Sequence, residues 1–314
     1  DFRGKEIDRL NESQIKDAAA RIKESGVSRV AVVGKFSQRN PAHEEKVFEI
    51  MSQILPDSKI ELGHRVSGHL NFPRRAATTK LTLATKESYA RFALAISRAL
   101  EERRITAPVY ILKADGGTLP LEGSVGMPVE TIFSGPAASI MGVLALTEPG
   151  QTSVVVDIGG TTTDLALILS GQPLLSSKGA RVDSLLTHVR AFAVKSVAIG
   201  GDSAVAFNGS SLTVGPHRDG PPMCLGGGMP TPTDALRVLG LSSIGDGARA
   251  EQAMQILGNG LGCSAAEAAQ KTVDAVVERM VSEIEEMFRE WESEPAYRIW
   301  EIMSKEKLSA QNVV

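Results

Sequence analysis

Residues 154–167 of the 314-residue chain hold the residue types best suited to binding an anion. An apolar run ends at Asp157 and is followed, after Ile158, by glycines, threonines and a second aspartate, namely Gly159, Gly160, Thr161, Thr162, Thr163 and Asp164. Glycine lets backbone N–H groups approach a phosphate oxygen without an intervening Cβ, and threonine hydroxyls add donors. Asp157 is placed to hold Mg²⁺ through water, and Asp164 to fix the turn by accepting its N–H groups. The segment therefore predicts a phosphate-binding hairpin.

An ordinary hairpin is the plainer interpretation of the same segment, with Gly159 and Gly160 forming the turn and the aspartates capping it. Two aspartates flanking a threonine triplet after a buried strand favour the anion site. The sequence contains neither GxxxxGK[ST] nor a GxGxxG that opens a helix after a strand. P-loop and Rossmann sites are therefore excluded.

Two further glycine turns follow predicted strands. Gly200, Gly201 and Asp202 come after residues 197–199, and we weigh a phosphate-binding turn and a plain strand-ending turn equally there. Asp115 precedes two glycines after residues 109–112. Its carboxylate could face a cleft as a catalytic group, although a plain turn is the more economical interpretation.

Cys224 has no His or Asp placed by sequence to activate it as a nucleophile.

Composition limits the class of protein. The chain is 42% hydrophobic, which is enough for two lobes, and its net charge of −3 disfavours nucleic acid as a partner. Cys224 and Cys263 are the two cysteines, so neither a disulfide framework nor a cysteine zinc site can form, and a reducing cytoplasm is predicted. The apolar runs are too short to span a membrane.

The elements that must position these residues alternate between helix and strand. We predict a helix from Asn11 to Gly26, a strand at 29–34, a helix from Asn40, a helix at 85–103 with Phe92 on its buried face, and a buried strand at 109–112. The hairpin and a long helix opening at Ser264 follow. The polar, turn-forming residues 147–151 predict a boundary between lobes 1–148 and 149–314.

The hairpin resembles the phosphate loop of the actin, sugar kinase and heat-shock chaperone ATPases. Further segments occur in the order found in the hydantoinase/oxoprolinase family, in particular Asn40-Pro41-Ala42-His43-Glu44, Arg75-Ala76-Ala77-Thr78-Thr79, Ser134-Gly135-Pro136-Ala137-Ala138 and Thr233-Asp234-Ala235. The resemblance is to the A-type, N-methylhydantoinase-like subunit. It implies an α/β, two-lobed actin-like ATPase fold of the ribonuclease H-like kind.

The resemblance also implies an activity. Such a protein is expected to use ATP and Mg²⁺ in opening a cyclic amide of the hydantoin or 5-oxoproline type, with a B-type hydantoinase subunit as partner. The implied catalytic residues are Asp157, which also holds the metal, and Asp115. The implied nucleotide-binding residues are Gly159, Gly160, Thr161, Thr162, Thr163, Asp164, Gly200, Gly201 and Asp202. A non-catalytic nucleotide-binding or assembly module on the same scaffold is the alternative.

This sequence departs from the family pattern in two ways. No Asp-x-Gly-Gly-Thr hairpin precedes Arg29, so we expect the fold to be incomplete at the N-terminus, in an excised fragment or a degenerate member. The turn at Gly200 is usually richer in glycine, and Lys195-Ser196 replace a histidine common just before it.

Overall fold

The computed structural model describes residues 1–147, 150–305 and 312–313, which form two compact units. The first unit comprises Asp1–Met141 and Leu175–Phe192, and the second comprises Gly142–Leu174 and Ala193–Val314. The predicted boundary between residues 148 and 149 lies outside the described residues. The two compact units divide inside a helix, and residues 175–192 belong to the first unit, because Val189 and Ala191 are buried in that unit's core beside Ala114 and Val129.

The elements are numbered in chain order. The helices are α1 Glu12–Glu24, α2 Ala42–Ile54, α3 Gly63–Val66, α4 Phe72–Glu102, α5 Leu121–Ser124, α6 Ser134–Leu146, α7 Pro232–Val238, α8 Gly247–Leu261, α9 Ala265–Trp291 and α10 Pro295–Ser304. The strands are β1 Arg29–Val32, β2 Lys59–Leu62, β3 Tyr110–Leu112, β4 Thr118–Pro120, β5 Ser153–Ile158, β6 Thr163–Leu169, β7 Gln172–Pro173, β8 Arg181–Val182, β9 Leu185–Leu186, β10 Val194–Val197, β11 Val205–Phe207, β12 Leu212–Val214 and β13 Asn312–Val313.

In the first unit, α1 and α2 pack on the parallel pair β1–β2. The predicted cap of α1 is confirmed, because the Asn11 side chain accepts the N–H of Gln14 at 3.2 Å. Ala19 of α1 and Met51 of α2 are buried with Val30 of β1, which gives these elements one apolar core.

Two first-unit predictions are wrong in detail. Helix α4 begins at Phe72 rather than near residue 85, and Phe92 is 49% exposed. The buried residues near its start are mostly polar, including Arg75, Thr78, Thr79 and Thr82, so apolar periodicity does not detect them. Strand β3 forms a two-stranded hairpin with β4 and is not buried, since Tyr110 is largely exposed.

The second unit is built on one sheet in the order β10-β6-β5-β13, with β7 pairing β6. The predicted hairpin is confirmed, because β5 and β6 are antiparallel with Val154 opposite Leu167 and Asp157 opposite Asp164. Side chains alternate between the faces of a strand. Val154 and Leu167 pack in a core cluster with Met280 and Met287 of α9, so the two aspartates lie on the opposite face.

Helix α9 covers the sheet and is stabilised both by a cap at its own N-terminus and by ion pairs to a strand of the sheet. Its predicted start is confirmed by a reciprocal capping box between Ser264 and Glu267. Lys195 of β10 reaches the helix, with Nζ 2.8 Å from a carboxylate oxygen of Glu283 and 2.7 Å from one of Glu286. Burial alone would lower the pKa of Lys195, but the two glutamates outweigh it and raise the pKa above its ordinary value. Strand β10, which leads into the second glycine turn, is thereby tied to α9.

Within the described residues, the structure contains no helix that is both long and apolar enough to cross a bilayer.

Glu44 is the buried carboxylate that joins the elements of the first unit. It is 1% exposed, and its oxygens accept the N–H of Gly34 at 2.6 Å and the N–H of His64 at 2.9 Å. Burial by itself raises the pKa of this carboxyl, but hydrogen bonds from Gly34, Ser37 and His64 outweigh burial and hold the pKa below its ordinary value. Helix α2 is thus linked through one ionised side chain to the loop after β1 and to α3.

We expect Glu44→Gln to lower the free energy of unfolding by about 1–3 kcal/mol at pH 7, because two buried N–H donors lose a charged acceptor. Since the folded pKa of Glu44 is depressed, its contribution is present above the unfolded pKa of about 4.3 and is lost as pH falls through the folded value. Urea unfolding at pH 7 and below pH 4 measures both effects. Glu45→Gln, at the neighbouring and far less buried glutamate, is the control; an equal loss in both variants would contradict this role.

Candidate functional site

The tip of the β5–β6 hairpin forms a tight turn. Gly159 N–H donates to the carbonyl oxygen of Thr162 at 2.9 Å, and the hydroxyl of Thr163 donates to the carbonyl oxygen of Ile199 at 2.7 Å. Asp164 was predicted to close the turn, and this prediction is wrong, since within the described chain its carboxylate accepts none of the turn's N–H groups. The turn is held by backbone and threonine instead.

The second glycine turn lies directly against the hairpin tip. Gly201 N–H donates to the carbonyl oxygen of Gly159 at 2.9 Å, and Asp202 N–H donates to that of Gly160 at 2.8 Å. A Cβ placed on Gly200 would lie 2.5 Å from the carbonyl oxygen of Gly159, so the approach requires glycine at position 200. The structure therefore brings together the two turns that the sequence placed 40 residues apart.

Helix α7 supports the second turn from behind. The N–H and the hydroxyl of Thr233 both donate to the carbonyl oxygen of Gly201, at 2.9 and 2.8 Å. The helix begins with a reciprocal capping box between Thr231 and Asp234. Asp234 is fully buried and also accepts the N–H groups of Met223 and Cys224. The Thr-Asp-Ala segment thus has a structural task in fixing the turn.

Three successive N–H groups at the hairpin tip are available to an anion. Those of Gly160, Thr161 and Thr162 donate to no other group that the structure describes, and the tip is exposed. Convergent backbone N–H groups without acceptors form an anion-binding concavity when a phosphate oxygen approaches them. Gly160, Thr161 and Thr162 are therefore the residues of this segment with backbone donors to offer, and anion binding by residues 159–163 stays a prediction.

Asp157 and Asp164 are directly opposed across the two strands on the same face. Like charges so placed destabilise an antiparallel pair, so a cation between or beside them would relieve the repulsion. No group of three or more His, Cys, Asp or Glu side chains among the described residues is arranged to hold a metal. The pair of carboxylates, Asp157 and Asp164, fits Mg²⁺, which is commonly bound through one or two carboxylates, with water and substrate phosphates completing its shell.

Arg218 is a residue of the site that sequence reasoning missed. Its Nη1 donates to the hydroxyl of Thr161 at 2.9 Å, and its Nη2 lies 2.7 Å from Oδ2 of Asp202. Arg218 lies in an irregular segment between β12 and the 3₁₀ turn at residues 223–225, where no periodicity or motif marks it. No sequence signal would have found it, because only the folded loop brings it to the tip.

Asp115 belongs to the first unit, in the turn between β3 and β4. Its carboxylate accepts the N–H of Gly117 at 3.1 Å and lies 3.4 Å from Nζ of Lys113 and 3.9 Å from Nε of Arg190. These contacts give Asp115 the structural task of fixing the turn. A catalytic role for it stays a prediction.

Cys224 is unsuited to nucleophilic chemistry. Its side chain is buried, and burial together with the neighbouring carboxylate of Asp234 raises the pKa of the thiol to about 11. Because the thiolate is the nucleophile, Cys224 is inert near neutral pH.

Comparison with known families and structures identifies the relatives of this chain. Residues 75–297 match the model described as hydantoinase/oxoprolinase, and residues 1–55 match the model of the hydantoinase/oxoprolinase N-terminal region. The chain is 31% identical over 253 residues to caprolactamase subunit alpha of Pseudomonas jessenii, an alignment that covers 78% of this chain and 36% of the relative.

Two solved structures are similar to the chain. The first is the nucleotide-free structure of acetone carboxylase, an enzyme of ATP-dependent acetone carboxylation. It superposes with a TM-score of 0.79 at 22% identity, covering 92% of this chain and 44% of the other. The ATP-dependent caprolactamase of Pseudomonas jessenii superposes with a TM-score of 0.65 at 29% identity, covering 91% and 44%. The predicted actin-like ATPase fold is confirmed, and the chain spans less than half the length of these relatives.

The close approach of the two turns predicts a graded response to added methyl groups. Neither Gly159 nor Gly160 has a positive φ, so the cost of an added methyl group there is set by steric contact and not by backbone strain. Gly200→Ala meets the backbone of the hairpin tip and should cost about 1–3 kcal/mol of unfolding free energy, whereas Gly160→Ala meets a movable Asp202 carboxylate and should cost less. Gly228→Ala, in open space, is the control. Urea unfolding that finds Gly200→Ala as stable as Gly228→Ala would contradict the contact.

The raised pKa of Cys224 predicts slow alkylation of the native protein. At pH 8 about 0.1% of this thiol is ionised, so iodoacetamide should modify the half-buried Cys263 first, and Cys224 should react appreciably only as pH approaches 11 or on unfolding. Peptide mass spectrometry of a time course at pH 7, 8 and 9 measures this. Modification of Cys224 ahead of Cys263 in folded protein would contradict the assignment.

Proposed function

The chain belongs to the hydantoinase/oxoprolinase family, and on that premise we propose that its second unit binds Mg-ATP at the β5–β6 hairpin tip. The observation that carries the proposal is the joining of two glycine turns around exposed N–H groups without acceptors. The two similar structures are both described as belonging to ATP-dependent enzymes, which supports ATP as the nucleotide.

The phosphates would be bound by the tip itself. The N–H groups of Gly160, Thr161 and Thr162 have no acceptor among the described residues, and the exposed Thr161 adds a hydroxyl. The second turn, residues 200–202, sets the position of the tip through its two backbone hydrogen bonds and so contributes by positioning. Phosphoryl transfer depends on positioning and on neutralising charge more than on a protein nucleophile, which agrees with an unreactive Cys224.

Asp157 and Asp164 are the residues that would hold Mg²⁺. Their opposed carboxylates lie on the sheet face away from α9, where an ion can reach them. Asp157 is exposed and Asp164 half-buried, so Asp157 is the residue that would meet the hydrated metal. When bound, the metal would neutralise phosphate charge during transfer.

For the whole protein we propose ATP-dependent ring-opening hydrolysis of a cyclic amide of the hydantoin or 5-oxoproline type. Phosphorylation of the amide oxygen by ATP would activate the carbonyl carbon of the ring for attack by water. The relative described as caprolactamase subunit alpha supports an amide substrate and also a partner subunit, for which a B-type hydantoinase subunit is our proposal. The acetone carboxylase structure supports carboxylation as the second candidate. Two free cysteines favour a reducing, cytoplasmic setting.

We expect Asp157→Asn to weaken Mg-ADP binding by about 10–100-fold, the range found when an outer-shell metal partner is lost, and to leave ADP binding in EDTA unchanged. Calorimetric titration of the purified chain measures both. Asp274→Asn, at an exposed aspartate of α9, is the matched control and should bind like the parent.

Activity assays of the complete protein with its partner subunit separate the two reactions. ATP hydrolysis that depends on a hydantoin, 5-oxoproline or a lactam supports the amide proposal, and dependence on a ketone with bicarbonate supports carboxylation. Nucleotide binding without either turnover would favour the non-catalytic module. Equal Mg-ADP affinities in Asp157→Asn and Asp274→Asn would contradict the assignment of the Mg-ATP site to the hairpin tip.

A further inference from the structure

An ion pair lies directly on the proposed phosphate site. The guanidinium of Arg218 bridges Thr161 at the hairpin tip and the carboxylate of Asp202 in the second turn, at 2.9 and 2.7 Å. The carboxylate lies against the tip, since a Cβ on Gly160 would be 2.7 Å from Oδ2 of Asp202. The Asp202 carboxylate therefore lies against Gly160 and the Arg218 guanidinium against Thr161, which are two of the residues proposed to bind phosphate.

The charges around the tip explain what such a pair can do. Three carboxylates belong to the segments that form the proposed site: Asp157 and Asp164 on the hairpin strands and Asp202 in the second turn. A divalent cation can offset the first two. Arg218 is the cation in contact with the third, and while paired with Asp202 it brings no net charge to a phosphate.

Arg218 is also suited to exchanging partners. It lies on a segment without regular structure, its side chain is 42% exposed, and its remaining contact is Nε with the carbonyl oxygen of Gly220 at 3.2 Å. A guanidinium presents a planar fork of donors that matches a carboxylate and a phosphate equally well. The same guanidinium can therefore pair with either oxyanion.

We propose that Arg218 is a phosphate-binding residue of the hairpin tip, and that Asp202 acts as an internal anion that holds the guanidinium there until a nucleotide phosphate displaces the carboxylate. The inference rests on the proposed function and adds two roles to it. Asp202 competes with phosphate instead of binding nucleotide, and Arg218 belongs to the loaded site.

The test is a set of binding measurements with two probes, Mg-ADP and metal-free pyrophosphate. Arg218→Ala should weaken both by about tenfold or more, the strength of a hydrogen bond to a charged group, and Arg218→Lys should fall between it and the parent. Asp202→Asn should tighten both by about two- to fivefold, because phosphate no longer has to displace a partly exposed ion pair. Both effects should shrink as salt is raised from 50 to 500 mM.

Arg298→Ala, which removes an exposed arginine paired with Glu301 on α10, is the matched control and should change neither affinity. Weaker binding of Mg-ADP by Asp202→Asn would overturn the inference in favour of a direct ligand role for Asp202. Affinities unchanged in Arg218→Ala, while Asp157→Asn still weakens Mg-ADP binding, would overturn this inference alone. Absence of binding in the parent and every variant would overturn the proposed function, and the inference with it.

Thermal unfolding of each variant without ligand guards against a folding defect. Arg218→Ala should melt within a few degrees of the parent, since it removes one exposed ion pair. Its ligand-induced shift should nevertheless be smaller, because a ligand that binds only native protein raises stability by an amount that grows with the logarithm of ligand concentration over Kd. A full shift in Arg218→Ala would contradict the proposal.

Discussion

The candidate site depends on one contact between two backbones. The hairpin tip and the turn at Gly200 approach so closely that two peptide N–H groups of the turn bond to the carbonyl oxygens of Gly159 and Gly160. Those carbonyls are thereby satisfied, while the N–H groups of Gly160, Thr161 and Thr162 have no acceptor among the described residues. A side chain at position 200 would separate the two segments. The chemistry of the tip thus follows from the absence of a side chain one turn away.

The first unit is held together by buried polar groups to an unusual degree. Arg75 of α4 is fully buried, and its guanidinium donates to the carbonyl oxygens of Gly34, Lys35 and His69. Glu44 accepts from Gly34 and His64 in the same region. Carbonyl and N–H groups of loops are satisfied here by long side chains, so the loops after β1 and α3 are specified by hydrogen bonds more than by apolar packing.

Local signals were enough to predict much of the fold. The caps at Asn11 and Ser264 and the β5–β6 hairpin each depend on residues close together in the chain, and the structure has them where the sequence placed them. The first half of α4 was missed because a helix whose buried face carries Arg75 and threonines has no apolar stripe.

The composition of the site was harder to predict than its core motif. The hairpin residues stand out because they lie in one segment. The turn at residues 200–202 contacts the hairpin tip only in the folded protein. From the sequence, a phosphate-binding turn and a plain strand-ending turn were equally good interpretations of those residues. Arg218 comes from a loop with no regular pattern, and it meets Thr161 over 57 positions of chain. Long-range contacts of this kind are decided by the folded topology and leave no periodicity behind.

The return of residues 175–192 to the first unit limits how such a protein can be divided or recombined. The chain passes from one unit to the other within α6, returns after Leu174 and leaves again after Phe192. A gene exchange with a single breakpoint near residue 148 would therefore transplant Val189 and Ala191 away from the core they complete with Ala114 and Val129. Neither unit is encoded by one uninterrupted stretch of the gene, so moving one of them intact requires more than one breakpoint.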